Sequence, residues 1–262
     1  MRIALAQLSS STDPAANLGL VRRYVAEASD AGAELVVFPE ATMHSFDRSP
    51  VEAAEPLDGP WASSVRSVAA EHGTTIVAGM FTTTASRRVR NTLLVTGAVE
   101  ASYDKLHLFD ALGYAESDTI QAGDGPAVVE LGGVRIGLAT CYDIRFPALF
   151  TRLAELGAQV VVVPASWASG PNKVHQWRTL ACARAMDSTC FVVACDQAEP
   201  AVVSRKPTGV GHSLVADPYG SVLRELGSAP ELAVVDVDLS LVVEARERMP
   251  VLRNARRFPP GA

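Results

Sequence analysis

The chain has 262 residues, 48% hydrophobic and 20% charged, with 23 Lys and Arg against 29 Asp and Glu for a formal net charge of -6. That length supports one large domain or two small ones with no need of disulfides or a metal, and the composition excludes a disordered chain. The acidic balance also excludes a dedicated nucleic-acid binder, which carries a basic stripe; Arg87, Arg88 and Arg90, and Arg253, Arg256 and Arg257, read as solvated surface or local ion pairs.

Arg2–Leu8 reads as an apolar strand. Asp13 before Pro14 supplies an N-cap followed by proline at the first helical position. Leu18, Val21, Val25 and Ala28 recur at helical spacing up to about Ala31, and Gly32 ends the helix. Glu34–Phe38 is a nearly continuous apolar strand that stops at Pro39-Glu40. This strand–helix–strand unit suits neighbouring strands in a helix-covered sheet. The pattern returns in helix Pro60–Glu71, broken by Gly73, and strand Thr75–Met80. Asn91–Thr96 and Ala98–Tyr103 pair as a hairpin through Gly97. Asp104–Gly125 has no clean period and reads as a long ordered loop, which in compact domains is uncommon and often functional.

Ala127–Leu131 and Val134–Thr140 flank Gly132-Gly133, a hairpin signal, and the second strand runs into Cys141. Phe146–Leu156 is helical up to Gly157, and Gln159–Val163 is a strand. Pro171–Asp187 contains a helix with an apolar face near Trp177, Leu180 and Ala181, and Thr189–Ala194 is a strand. Gly211–Ala216 and Ser221–Leu226 form a hairpin around Pro218-Tyr219-Gly220. Glu231–Val237 is the last strand, Leu239–Glu247 a terminal helix, and residues 248–262 a polar tail with prolines. No Gly-, Ser- or Pro-rich linker divides the chain, so a single domain over residues 1–262 is expected, with two sheets each covered on one face by helices. A single doubly wound sheet is the alternative, but no GxGxxG follows the first strand and no GxxxxGK motif occurs.

The opening residues run straight into a strand, with no basic, apolar and small-residue succession of a signal peptide, and no apolar run is long enough to span a membrane. Cys141, Cys182, Cys190 and Cys195 form no CxxC and no zinc pattern. A reducing cytoplasmic setting is expected. No GxSxG or HExxH occurs, and the five histidines are dispersed.

Three places carry candidate chemistry. Glu40 follows an apolar strand and a proline, where ligands of α/β sheets bind; the alternative is a helix-start cap or a surface acid. Lys105 lies in Tyr103-Asp104-Lys105-Leu106-His107-Leu108-Phe109, as a fixed pocket charge or a snorkelling surface lysine. His107 reads as a satisfied structural histidine, and Glu116 carries little signal by itself. Cys141 ends a strand in Ala139-Thr140-Cys141-Tyr142-Asp143-Ile144-Arg145-Phe146-Pro147. A nucleophile on such a turn is exposed, backbone N–H groups point at a developing oxyanion, and a helix start favours the thiolate. The alternative is a buried small hydrophobe, as expected for Cys182, Cys190 and Cys195.

Taken together, Phe38-Pro39-Glu40, the Tyr103–Phe109 run and the Cys141–Pro147 run resemble the nitrilase, or carbon–nitrogen hydrolase, family over nearly the whole chain, up to the Val251–Phe258 tail. Ala183-Arg184-Ala185, Gly211-His212-Ser213 and Asp217-Pro218-Tyr219-Gly220 add to the likeness. The resemblance implies a four-layer αββα sandwich, a homodimer or higher homo-oligomer, and no cofactor or metal. It implies Glu40 as general base, Lys105 as oxyanion-side cation, Cys141 as nucleophile and Glu116 as auxiliary glutamate. The Tyr142 backbone N–H is the expected second oxyanion donor, and Arg145, Trp167 and Lys173 are the substrate-binding candidates, with Arg145 alternatively pairing Asp143 or another acid.

The branch most resembled is that of omega-amidases and deaminated-glutathione amidases, which act on small dicarboxylic monoamides. The loop after Phe109 is shorter than in animal members, Ala148 stands where a glutamate often follows, and Ser166–Trp177 differs. The expected activity is therefore hydrolysis of a small carboxylated amide, such as deaminated glutathione or alpha-ketoglutaramate, through a cysteine thioester. N-carbamoyl amide, aliphatic amide or nitrile hydrolysis is the alternative, and a non-catalytic dimeric binding protein the remaining class. Water and the amide are the only small-molecule partners expected.

Overall fold

The computed structural model describes residues 1–200 and 209–256. The first half runs β1 (Arg2–Gln7), α1 (Pro14–Asp30), β2 (Leu35–Val37), α2 (Pro60–His72), β3 (Thr75–Thr83), β4 (Val89–Thr96) and β5 (Ala101–Asp104), then the short β6 (Asp110–Ala111) and β7 (Tyr114–Ala115). The second half runs β8 (Ala127–Leu131), β9 (Val134–Leu138), α3 (Pro147–Glu155), β10 (Val160–Ala165), α4 (Lys173–Ser188) and β11 (Phe191–Asp196). It closes with β12 (Leu214–Ala216), β13 (Val222–Glu225), β14 (Glu231–Asp236), α5 (Ser240–Arg248) and α6 (Val251–Asn254). Asp13 caps α1 by accepting from the Ala15 N–H, and Gly73 ends α2 in the left-handed conformation at φ 61°.

Two six-stranded sheets form, in the orders β14-β1-β2-β3-β4-β5 and β13-β12-β11-β10-β9-β8. Each has the same grammar. β1, β2 and β3 are parallel through the crossovers α1 and α2, as β9, β10 and β11 are through α3 and α4. Antiparallel strands complete both edges. Strand alternation explains the layers. Ile3 and Leu5 of β1 meet Val160 and Val162 of β10 in the core between the sheets. Ala4 and Ala6 face α1 and α2, whereas Val161 and Val163 face α3 and α4. With both faces covered, these strands read as unbroken apolar runs. The result is the αββα sandwich.

Two expectations change. The 104–125 loop contains the β6–β7 hairpin, joined at Asp110–Ala115. The start of the tail is helical in α6, where Leu252 packs against the layer of α3 and α4; the remainder of the 248–262 tail from Arg257 lies outside the described residues. The last strand, β14, whose partner the sequence did not indicate, pairs with β1 of the first sheet, Arg2 opposite Asp236. Among the described residues no helix is long and apolar enough to cross a membrane.

Candidate active site

Glu40 is placed by the end of β2. Proline has no N–H to continue a ladder, so at Pro39 the chain leaves the sheet and turns over β3. Gly79 N–H donates to Pro39 O (3.2 Å) and Met43 N–H to Gly79 O (2.9 Å). The crossing needs a glycine: a Cβ on Gly79 would stand 2.6 Å from Ala41 N and 2.8 Å from Glu40 Cα. Glu40 itself is 1% exposed. Its Oε1 accepts from Lys105 Nζ (2.9 Å) and Asn91 Nδ2 (2.6 Å), and its Oε2 from the Ser166 N–H (2.9 Å).

Lys105 follows β5, its N–H held by Asn91 O (2.9 Å) and its carbonyl by the Gly123 N–H (2.9 Å). It is 2% exposed, so it is no snorkelling lysine. Its Nζ also meets Glu116, at 3.1 Å from Oε1 and 2.9 Å from Oε2. Burial by itself pushes the ammonium's pKa down, but Glu116 and Glu40 outweigh it and hold the pKa well above the ordinary lysine value. Lys105 is a permanent cation. Glu116 is fixed in turn by the Phe109 N–H (2.7 Å) and by Asn91 Nδ2 (3.1 Å). Asn91 thus bridges both carboxylates, although within β4 it reads as an ordinary polar strand position.

Cys141 sits at φ 46° at the start of a 3-10 turn over Cys141–Arg145. The left-handed conformation is unfavourable for a side-chain-bearing residue and turns the thiol sharply out of line with β9. Asp143 closes the turn by accepting from the Thr140 N–H (2.8 Å). The Tyr142 N–H, second in the turn, belongs to the donors a helix start leaves available. The local helix start does not make a resting thiolate. Burial, and then the neighbouring Glu40, push the thiol well above its ordinary pKa, and Lys105 offsets this only in part. The resting pair is a neutral thiol beside a carboxylate.

The thiol opens on a cleft walled by Phe46, Phe109, Tyr114, Tyr142 and Trp167 beside the polar cluster. Besides Lys105, two cations line it. The Arg145 guanidinium lies 4.8 Å over the Trp167 ring and donates to Gln176 Oε1 (2.7 Å). It does not pair with Asp143, whose oxygens are taken by Thr140, Tyr103 and His107. Lys173 is the first residue of α4 and lies 5.8 Å from the same ring. Neither cation pairs with an acid among the described residues. Burial, and then Arg145, lower the Lys173 pKa. Trp167 is held by its N–H on Asp196 Oδ1 (2.7 Å) and its indole N–H on Lys173 O (3.0 Å).

Glu40, Lys105, Glu116 and Cys141 therefore converge, with Tyr142, Arg145, Trp167 and Lys173 on the same cleft. Cys182 is absent from its wall, and Cys190 and Cys195 are core residues. His107 is bonded to Asp143 at 2.7 Å and stacked on Phe146. Asn91, Gly79 and the Ser166 N–H carried no sequence signal, because what distinguishes them is a neighbour in another strand.

The carbon–nitrogen hydrolase family model matches residues 2–247. A Mycobacterium tuberculosis protein named as a hydrolase is 53% identical over 98% of this chain and 96% of its own length. The deaminated glutathione amidase of Escherichia coli is 33% identical over 99% of both chains. A solved variant of an amidase from Nesterenkonia, with acrylamide added to its active-site cysteine, is 29% identical, with a TM-score of 0.79 over 97% of this chain and 99% of its own. By sequence, fold and the shared nature of these relatives, the chain belongs to the carbon–nitrogen hydrolase family and is a hydrolase of carbon–nitrogen bonds.

Proposed function

We propose that the protein hydrolyses a small carboxylated amide, a dicarboxylic acid monoamide of the deaminated-glutathione or alpha-ketoglutaramate kind, through a thioester on Cys141. The observation that carries the substrate class is a pair of cations with no acidic partner among the described residues, Arg145 and Lys173, facing the cleft that holds the buried Glu40–Lys105–Cys141 cluster. A carboxylate fits there, and Arg145 offers the planar fork that binds one bidentately. The deaminated glutathione amidase among the relatives supports the same class.

In this mechanism Glu40 takes the thiol proton as Sγ attacks the amide carbon, which a thiol of raised pKa requires. The oxygen becomes an anion between the Lys105 ammonium and the Tyr142 N–H. Glu40 returns the proton to the departing nitrogen, the C–N bond breaks and ammonia or an amine leaves. Glu40 then deprotonates water, which attacks the thioester; the C–S bond breaks, Glu40 returns that proton to Sγ, and the acid leaves. Glu116 and Asn91 keep Lys105 and Glu40 in register throughout.

The test is nitrogen release from a panel holding deaminated glutathione, alpha-ketoglutaramate, succinamate, a neutral aliphatic amide, an N-carbamoyl amino acid and a nitrile. Cys141-dependent turnover is expected for the carboxylated amides; turnover confined to the others removes this substrate class. Lys173→Met is expected to raise KM for carboxylated amides roughly tenfold, about one charge-assisted hydrogen bond, with kcat unchanged. In the wild type the same KM rises with pH as Lys173 loses its proton, below the ordinary lysine range. A pH-independent KM in that range would remove Lys173 from binding. Gly79→Ala, by forcing the Glu40 backbone off β3, is expected to lower kcat about 100-fold; a fully active, folded G79A protein contradicts the placement of the base.

A further inference from the structure

Asp143 lies two residues past the nucleophile, is fully buried, and forms no ion pair with Lys or Arg among the described residues. Its two oxygens gather four hydrogen bonds. Oδ2 accepts from the Thr140 N–H (2.8 Å) and the Tyr103 hydroxyl (2.7 Å). Oδ1 accepts from the His107 N–H (3.0 Å) and from His107 Nδ1 (2.7 Å), which fixes the proton on that ring nitrogen.

Closing the 3-10 turn accounts for one of these four bonds, the one from Thr140. The other three come from the run that carries Lys105, with Tyr103 two residues before it and His107 two residues after. The His107 ring also stacks on Phe146 at 3.7 Å, at the far end of the nucleophile turn. The run holding the ammonium is therefore fastened to both ends of the turn holding the thiol. The two segments belong to different sheets: Lys105 follows the edge strand β5 of one, and Cys141 follows β9 of the other. A buried anion is tolerated only with donors of this quality around it.

We propose that Asp143 is a positioning residue that sets the separation of Lys105 from Cys141 across the two sheets. It rests on the reading of Cys141 as nucleophile and Lys105 as the cation that receives the acyl oxygen. Asp143 does not line the cleft, and its hydrogen bonds go to Tyr103, His107 and Thr140. It acts by holding the oxyanion cation where the attacked carbonyl places its oxygen, so its loss is felt in the bond-making step and not in substrate binding.

The test compares Asp143→Asn, which keeps the shape but turns an amide N–H toward existing donors, with the double variant Tyr103→Phe/His107→Phe, which keeps both rings and removes two donors. Two rates are read on the intact protein: amide turnover, and addition of acrylamide to Cys141 followed by mass spectrometry. For D143N, kcat is expected to fall about 100-fold with KM within about threefold, and acrylamide addition to slow about tenfold. The double variant is expected to lose about tenfold in kcat, and it decides the matter where D143N fails to fold. Rates within twofold of wild type in a folded variant, or a raised KM with kcat unchanged, overturn the proposal. If the wild type adds acrylamide at Cys141 but hydrolyses no amide, the hydrolytic reading fails while the acrylamide rates still judge the clamp.

Discussion

Cys141→Ala is expected to lose at least about 10⁴-fold in amide turnover while keeping its fold and its affinity for the substrate. The sulfur is the only heavy atom removed, and it borders the cleft just past β9, so the backbone and the surrounding hydrogen bonds are kept. Alanine keeps the strain of φ 46°. Cys141→Gly releases it and is expected to be more stable than C141A by about 0.5–1 kcal/mol, read from urea midpoints at unchanged m. The pair separates two uses of one position, chemistry from the thiol and exposure from the backbone. Turnover by C141A at a few per cent of wild type would sink the thioester mechanism. A C141G protein less stable than C141A would show that the turn stores no strain.

Lys105→Met is expected to damage both activity and stability. Two buried carboxylates share this ammonium at 2.9 Å each. Removing it leaves Glu40 and Glu116 facing Asn91 with no cation, which costs about 3–5 kcal/mol. Losing the oxyanion donor costs roughly a further 10²–10³ in kcat. The double variant K105M/E116Q separates the two effects, because it takes away one of the stranded charges. Its stability is expected to recover by a kcal/mol or more, with turnover as low as in K105M. Wild-type stability in K105M would mean the cluster is not electrostatically coupled, and recovered turnover in the double variant would remove Lys105 from the chemistry.

The strands and helices were legible because both faces of each parallel strand are covered, which leaves apolar runs with abrupt polar ends. Glu40 and Cys141 stand at two of those ends, and Lys105 just past a third. What was not legible depends on partners far along the chain. Asn91 is one polar residue in a strand, and its meaning comes from carboxylates that β2 and the 104–125 loop bring to it. Asp143 looked like a neighbour for Arg145, but donors from β5 and beyond claim it. Local reasoning about a helix start favoured a thiolate at Cys141. Burial and a carboxylate from the other sheet decide otherwise. The tail read as polar because α6 rests on the α3–α4 layer through a single apolar side chain, Leu252.

The pairing of β1 with β14 has a consequence for synthesis. Strand β1 has as its outer neighbour β14, which is made far later in the chain, with Ile3 opposite Val235 and Leu5 opposite Ala233. At roughly 5–20 residues per second, β1 waits about 10–45 s with an open, apolar edge. Such an edge templates pairing with other chains. A nascent chain thus carries an aggregation hazard at β1 until β14 has been made, and pairing with β14, not assembly of the Glu40–Lys105–Cys141 cluster, removes it.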